Sequence, residues 1–324
     1  MKLSFIAWID YNRRSEILAE FFGATLHHIS FGQRKVKWQI PIRYLVQTFQ
    51  TLKVLIKERP DIVFVQNPPI VILLPVLPYC FFFGARFIID SHTGAFTDFK
   101  RTLGLHKWLS KRALTTIVHN TSQEKIIKEW GVPYCILGFF DTEYPEGTPV
   151  PMADGFNIAF SCSFAPDEPI LEVFQAAKML PEANIYITGN HKRLDPAKEA
   201  QKPSNCHFTG FLDYDEYVGL LRGSDMVMAL TTRDETLLSG GFEAVSLEKP
   251  LIVSDWPILE QYFSKGSVHV DNSAAGIAQG IRDGIENLPT LKEKIKELRE
   301  NLNKEWQESG NEINHLIKNV ALSK

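Results

Sequence analysis

Residues Thr231–Pro250 read TTRDETLLSGGFEAVSLEKP and follow the short apolar run Met226–Leu230. Such a run predicts a buried strand, and the loop after a strand in an α/β sheet is where a ligand is expected. Gly240 and Gly241 open a segment with helical spacing, with Glu243 in its first turn. Free N–H groups at a helix start suit a phosphate oxygen, and glycine lets that phosphate come close to the backbone. Glu235 and Glu243 stand eight apart, and an ionised carboxylate accepts from two donors at once. Together these groups fit a diphosphate flanked by hydroxyl-rich moieties, as in a nucleotide sugar. An acid at a helix start also has a purely structural use, because the helix dipole favours it.

Outward from this stretch, apolar runs alternate with amphipathic segments. In the second half the predicted strands are Asn157–Ser163, Asn184–Thr188, Cys206–Thr209, Met226–Leu230, Leu251–Ser254 and Val268–Val270. Helical spacing marks Ile170–Leu180, Tyr214–Arg222, Gly241–Leu247 and Ala275–Glu286. In the first half the predicted strands are Leu3–Ile9, Ala24–Ile29, Ile62–Gln66, Arg86–Asp90, Thr115–His119 and Tyr134–Leu137. Arg43–Arg59 predicts a helix that Pro60 ends. Strands alternating with helices imply parallel sheets covered on both faces. The stretch Asp141–Gly155, rich in Pro, Gly and acids, reads as a linker. The expected organisation is an amino-terminal domain over 1–145, a carboxyl-terminal domain over 155–290 and a helical tail over 291–324. The tail is expected to pack back on the first domain, and the ligand to sit in a cleft where the two sheets face each other.

A chain of 324 residues suits two domains at roughly 150 residues each. With 44% hydrophobic and 23% charged residues it is an ordinary globular sequence. Four scattered cysteines without a C-x-x-C pair argue against a zinc ribbon and fit a reducing compartment. Residues 1–150 carry 18 Lys and Arg against 12 Asp and Glu, whereas residues 151–324 carry 17 against 26. The basic half is expected to meet something anionic. No dinucleotide G-x-G-x-x-G follows the first strand, and no P-loop or G-x-S-x-G elbow occurs. Nucleic acid is disfavoured by a pI near 6.3.

The segments FSCSFAPDEPILEVFQAAKMLPEANIYITGN, HFTGFLDYDEYVGLLRGSDMVMALTTRDETLLSGGFEAVSLEKPLIVSD and VHVDN resemble the donor-binding domain of GT-B glycosyltransferases. The likeness is to the family 4 type of bacterial envelope and exopolysaccharide synthesis. It covers Asn157–Asp271 and, more weakly, the first half. It implies two Rossmann-like domains, a nucleotide-sugar donor and no obligate metal or other cofactor. It further implies that Glu235 contacts the donor sugar, that Glu243 contacts the ribose, and that Phe211 and Leu212 lie where the base is held. Ser163, the last residue of the first predicted strand of this half, joins the donor set. One departure concerns the diphosphate: where the family places basic residues, this chain has Phe164-Ala165-Pro166-Asp167-Glu168. The two acids are read as caps of the following helix. The missing positive charge is expected from Arg233, Lys192 or Arg193. Asp213-Tyr214-Asp215 resembles a metal-binding D-x-D but precedes a helix and is read as capping.

In the first half three loops after strands carry chemistry. DYNRRSE holds Arg13 and Arg14, whose guanidinium groups suit an anionic acceptor. The loops QNPP, with Asn67, and DSHTGAFTD, with His92 and Asp98, resemble the amino-terminal half of the mannosyltransferases that extend dolichyl-diphosphate chitobiose. That likeness implies a polyprenyl-linked acceptor and, unlike family 4, an inverting reaction that needs a base. His92, Asp98 and Asp10 are the candidates, with Asp90 orienting the loop through backbone bonds and His119-Asn120 offering a further cleft contact. The favoured reaction is retention. FGQRKVKW over Phe31–Trp38 and the apolar Ile70–Phe83 predict peripheral attachment to the anionic inner face of the cytoplasmic membrane, since neither is long enough to span it. Rival readings are a nucleotide-sugar epimerase or hydrolase on the same fold, and a catalytically silent membrane scaffold. Glu235, His92 and Asp98 are thus the catalytic candidates. Glu243, Gly240, Gly241, Arg233, Phe211, Leu212, Lys192 and Ser163 are the donor-binding ones. Arg13, Arg14 and Asn67 are the acceptor-binding ones.

Overall fold

The structure, a computed structural model, describes residues 1–32, 37–97, 100–138 and 143–322. It forms two units, Met1–Phe140 with Glu305–Lys324, and Asp141–Lys304. Each contains one six-stranded, all-parallel sheet.

The strands of the first unit are β1 Leu3–Ala7, β2 Thr25–His28, β3 Ile62–Asn67, β4 Arg86–Ser91, β5 Thr115–Val118 and β6 Tyr134–Ile136. Its helices are α1 Arg13–Phe22, α2 Ile40–Glu58, α3 Leu73–Phe83, α4 Gly94–Thr97, α5 Leu103–Ser110 and α6 Thr121–Trp130. The strand order is β2-β1-β3-β4-β5-β6, so the order reverses between β1 and β3. The period-two alternation of strand side chains divides the core into two layers. Ile6, Trp8, Val63, Val65 and Ile89 face α2 and α3 through Leu55 and Val76. Phe5, Phe64, Ile88 and Ile117 face the other way, onto Leu18 and Phe22 of α1. Local signals stop the helices where the pattern requires. Asn12 caps α1 by accepting from the Ser15 N–H, and Gly23 closes it with φ of 65°. The α2 helix ends at Glu58, with Arg59 left-handed at φ 52° before Pro60.

The second unit contains β7 Phe156–Phe160, β8 Ala183–Thr188, β9 Cys206–Gly210, β10 Met226–Ala229, β11 Leu251–Ser254 and β12 Ser267–Val270. Its helices are α7 Ile170–Lys178, α8 Pro196–Glu199, α9 Tyr214–Gly223, α10 Ser239–Ser246, α11 Pro257–Tyr262 and α12 Ala274–Glu286, and α13 Leu288–Leu322 begins within it. The order β12-β11-β10-β7-β8-β9 is the doubly wound arrangement, with its switch point between β7 and β10. Ile158, Phe160, Ile185, Met228 and Ile252 pack under Val173 and Phe174 of α7 and Ile277 and Ile281 of α12. The 35-residue α13 contributes to both units. Leu291 joins the core of the second unit. Trp306, Ile313 and Ile317 join the core layer of the first that holds Phe5 and Phe64. The stretch 291–304, which the sequence reading assigned to a separate tail, therefore groups with the second unit.

All twelve expected strands are present, with ends that coincide or differ by at most three residues. No helix among the described residues is long and apolar enough to cross a membrane.

Candidate functional site

In the second unit the carboxyl ends of β7 and β10 and the start of α10 come together. Glu243, on α10, accepts a hydrogen bond from the Tyr217 hydroxyl of α9. That hydroxyl also lies 2.9 Å from Ser161 Oγ, just past β7. Burial pushes the Glu243 carboxyl up, and the Tyr217 bond pulls it partly back. Tyr217 is pushed well above its ordinary value, first by burial and then by the charge of Glu243. The result is a half-buried carboxylate with one strong internal donor and further accepting capacity. Leu238 sits at the N-cap of α10 and provides no side-chain cap.

Gly240 and Gly241 have a role the sequence reading did not assign. A Cβ on Gly240 would lie 2.5 Å from Ser161 Cβ, and one on Gly241 would lie 2.5 Å from Phe263 Cζ. Both glycines are buried, and their missing side chains permit close packing of α10 against β7 and α11.

Glu235 lies on the β10 loop with φ of 56°, and its N–H donates to Asp234 Oδ1 at 2.6 Å. Its side chain is exposed and its carboxylate has no hydrogen-bond partner among the described residues. The loop beneath it is firmly built. Thr231 N–H donates to Ser254 Oγ at 2.9 Å, and Thr231 C=O accepts from Trp256 Nε1 at 2.8 Å and Asn272 Nδ2 at 3.0 Å.

Asp167 and Glu168 do not cap α7, whose N-cap, Pro169, has no side-chain bond. Asp167 instead ties two loops together, accepting from Thr231 Oγ1 at 2.8 Å while its carbonyl accepts from Thr232 N–H at 2.7 Å. Glu168 folds into the β7 loop and accepts from the N–H groups of Ser163 at 3.0 Å and Ala165 at 2.7 Å. Ser163 is therefore engaged by an internal carboxylate. Arg193 Nη1 donates to Ser163 C=O at 3.3 Å, and Lys192 beside it is exposed. Arg233 stands 3.8 Å from Asp167 with its side chain 68% exposed, so the pairing holds it loosely. After β9, Phe211 is 89% exposed and Leu212 half-buried. Asp213 forms a capping box with Glu216, so this D-x-D starts a helix.

In the first unit a cavity of about 520 Å³ opens at the carboxyl ends of β1 to β4, lined by Trp8, Asp10, Tyr44, Gln66, Pro69 and His92 among others. It lies at the switch point of this sheet. Beneath it Asp90 is fully buried and accepts from Arg14 Nε at 3.3 Å, His92 Nε2 at 3.0 Å and His119 Nε2 at 3.1 Å. Burial by itself would raise the Asp90 carboxyl; Arg14 first, then His92 and His119, hold it well below the usual range. His119 is pushed down to about 3 by burial, then by the charges of Arg14 and His92. The ligating atoms of Asp90, His92 and His119 lie within 4.8 Å of one another, a spacing that could hold a cation. Arg14 already supplies the positive charge there.

Several acceptor-side expectations change accordingly. Arg14 is buried, paired with Asp90 and donating to the carbonyls of Leu137 and Gly138. Asn67 is buried against Ser91 Oγ at 3.4 Å and His106 Nε2 at 3.2 Å. Neither is free to meet an acceptor. Arg13 is half-exposed and pairs with Glu16 at 3.3 Å. Asp90 orients its loop through side chains, not backbone bonds. Asn120 caps α6 by accepting from the Gln123 N–H. His92 lines the cavity. Asp98 lies outside the described residues, as do Arg34 and Lys35 of the basic stretch. Tyr217 and Ser161 were not singled out from the sequence, and no local motif marks them.

Residues 171–308 match a family model described as glycosyl transferase-like. No curated protein matches the sequence. Solved structures of similar fold include sucrose-phosphate synthase from Thermosynechococcus elongatus, with TM-score 0.73, 11% identity and full coverage of both chains. A glycosyltransferase from Rickettsia africae has TM-score 0.70 and 13% identity, covering 99% of this chain and 98% of that one. Anabaena HepE in complex with UDP-glucose has TM-score 0.67 and 12% identity, covering 96% and 91%. At these identities the likeness establishes the fold.

Proposed function

We propose that this chain, with the fold of GT-B glycosyltransferases, is itself a glycosyltransferase that moves one sugar from a nucleotide-sugar donor to a lipid-linked saccharide or other glycan acceptor. The observation that carries the reading is the Glu243–Tyr217–Ser161 set beside the uncapped start of α10. It offers a ribose a charged acceptor and a diphosphate backbone donors, in one place. UDP is the proposed nucleotide, supported by the HepE structures with UDP and UDP-glucose. Glu235 would contact the sugar, Phe211 the base, and Arg233, Arg193 or Lys192 the diphosphate.

Catalysis would be positioning together with stabilisation of the leaving diphosphate, without a metal. The anomeric C–O bond to phosphate breaks, the acceptor oxygen bonds to the same carbon from the same face, and the acceptor proton passes to the leaving phosphate oxygen. Configuration is then retained. The His92–Asp90 contact in the first-unit cavity supports a second, inverting reading. There His92, oriented through Nε2, would take the proton at Nδ1. The acceptor would be held by the basic first unit at the inner face of the cytoplasmic membrane.

Thermal unfolding with UDP, GDP, dTDP and CMP, with and without chelator, tests the donor site. A ligand at about 100 times its Kd adds roughly 2.7 kcal/mol, a shift of a few degrees. A selective shift with UDP that chelator leaves intact is expected. No shift with any nucleotide would overturn the reading in favour of a silent scaffold. Glu235→Ala should abolish transfer, and unchanged transfer would remove Glu235 from the site. The anomeric configuration of the product, read by NMR, decides between retention and inversion.

A further inference from the structure

We infer that the outer faces of α2 and α3 are the surface by which the first unit seats on an anionic lipid bilayer. The inference rests on the proposed lipid-linked acceptor and assigns its membrane contact to particular side chains. On α2 the residues Ile42, Leu45, Phe49 and Ile56 are all exposed, and Trp38, 71% exposed, continues the row just before the helix. At 100° per residue they fall in one stripe along the axis. Gln47, Thr51 and Leu55 are buried on the opposite face. At 1.5 Å per residue the stripe from Ile42 to Ile56 runs about 21 Å along the 19-residue α2.

The neighbouring α3 carries no charged residue and leaves Leu74, Phe81 and Phe82 uncovered, the last two 82% and 77% exposed. Charge selects the occupant. Exposed Lys53, Lys57, Arg59 and Arg86 lie on or beside these helices. The only acid of α2, Glu58, is engaged by His27 at 3.0 Å and Ser4 at 3.0 Å. An aromatic and aliphatic stripe with a cationic margin is the pattern of a helix lying in the plane of an anionic interface. The same α2 lines the first-unit cavity through Arg43, Tyr44 and Gln47. Seating α2 on the bilayer therefore brings that cavity to headgroup level, where the polar end of a lipid-linked acceptor would lie.

The test is co-sedimentation of the purified full chain with phosphatidylcholine vesicles, with and without phosphatidylglycerol. Binding is expected with phosphatidylglycerol, weakening at about 1 M salt, where the Debye length is about 3 Å. Phe81→Ser with Phe82→Ser should lower partitioning roughly tenfold to a hundredfold, from the apolar area no longer buried. Phe49→Ser, on the other helix, should lower it as well. Both variants should keep the wild-type unfolding midpoint and the nucleotide-induced shift, because these side chains are exposed in the folded chain. Wild type that stays in the supernatant, or variants that pellet like wild type, overturn the inference. So does a dimer in light scattering that the same substitutions dissociate without any vesicle binding, which would assign the face to a second copy. A retained nucleotide shift without vesicle binding sinks the surface alone. Vesicle binding without a nucleotide shift sinks the sugar-transfer reading alone.

Discussion

Replacing Tyr217 by phenylalanine removes one hydroxyl and leaves the ring in place. That hydroxyl donates to Glu243 and lies 2.9 Å from Ser161 Oγ. Without it, a carboxylate already raised by burial loses the group that lowers its pKa. A hydrogen bond to a charged group contributes about 1.5–3 kcal/mol. If the ionised Glu243 must accept from the ribose, Tyr217→Phe should weaken UDP roughly tenfold to a hundredfold. The pH dependence supplies a second readout. UDP binding is present where Glu243 is ionised and is lost as pH falls through its pKa. Tyr217→Phe raises that pKa further, so in the variant the loss begins at a higher pH. Isothermal titration of UDP into both proteins across about pH 5 to 8 measures this. Equal affinities and superimposable pH profiles would refute the role of Glu243, leaving Tyr217 as packing.

Further outcomes follow from the same geometry. Asp90→Asn strands the buried Arg14 guanidinium without a countercharge and should cost about 3–5 kcal/mol in urea unfolding; a loss well under 1 kcal/mol would contradict the network. His119 and His106 have folded pKa values pushed down to about 3 and about 4 by burial. Their contribution to stability is present above an unfolded value of about 6.5 and lost as pH falls below it, about 1.2 kcal/mol each between pH 7 and 5.5. A melting temperature that stays flat across that interval argues against both being buried and neutral. Gly241→Ala drives a methyl to 2.5 Å from the Phe263 ring and should destabilise by about 1–3 kcal/mol. Gly104→Ala in α5, with nothing within 4 Å, should be neutral or stabilising, and equal effects at the two sites would sink the packing account.

Much of the architecture was legible because parallel strands are buried on both faces and read as continuous apolar runs. Met226–Leu230 and Ile62–Gln66 are such runs, and the strands observed there are fully buried. Caps were legible for the same local reason: Asp213 and Glu216 stand three apart and bond each other across one turn. Glu235 and Glu243 could be singled out because a strand, a loop and a helix start lie in one stretch. Glu168 was misread because its nearest use by distance along the chain, capping α7, loses to the N–H groups of Ser163 and Ala165 in the preceding loop. The packing role of Gly240 was not legible because the side chain that crowds it, Ser161, is remote in sequence.

The sequence by itself determined two α/β units, the strand and helix segments, and the loop that carries the two glutamates. These depend on periodicity and capping, interactions that reach only a turn or two along the chain. Which polar groups meet was decided by the tertiary structure alone. Tyr217 and Glu243 are 26 residues apart, Ser161 and Tyr217 are 56 apart, and Arg14 and Asp90 are 76 apart. A buried charge must find its partner wherever the sheet order places one. Arg14, which looked available to a ligand in its own loop, was claimed by Asp90 at the end of a strand two places across the sheet.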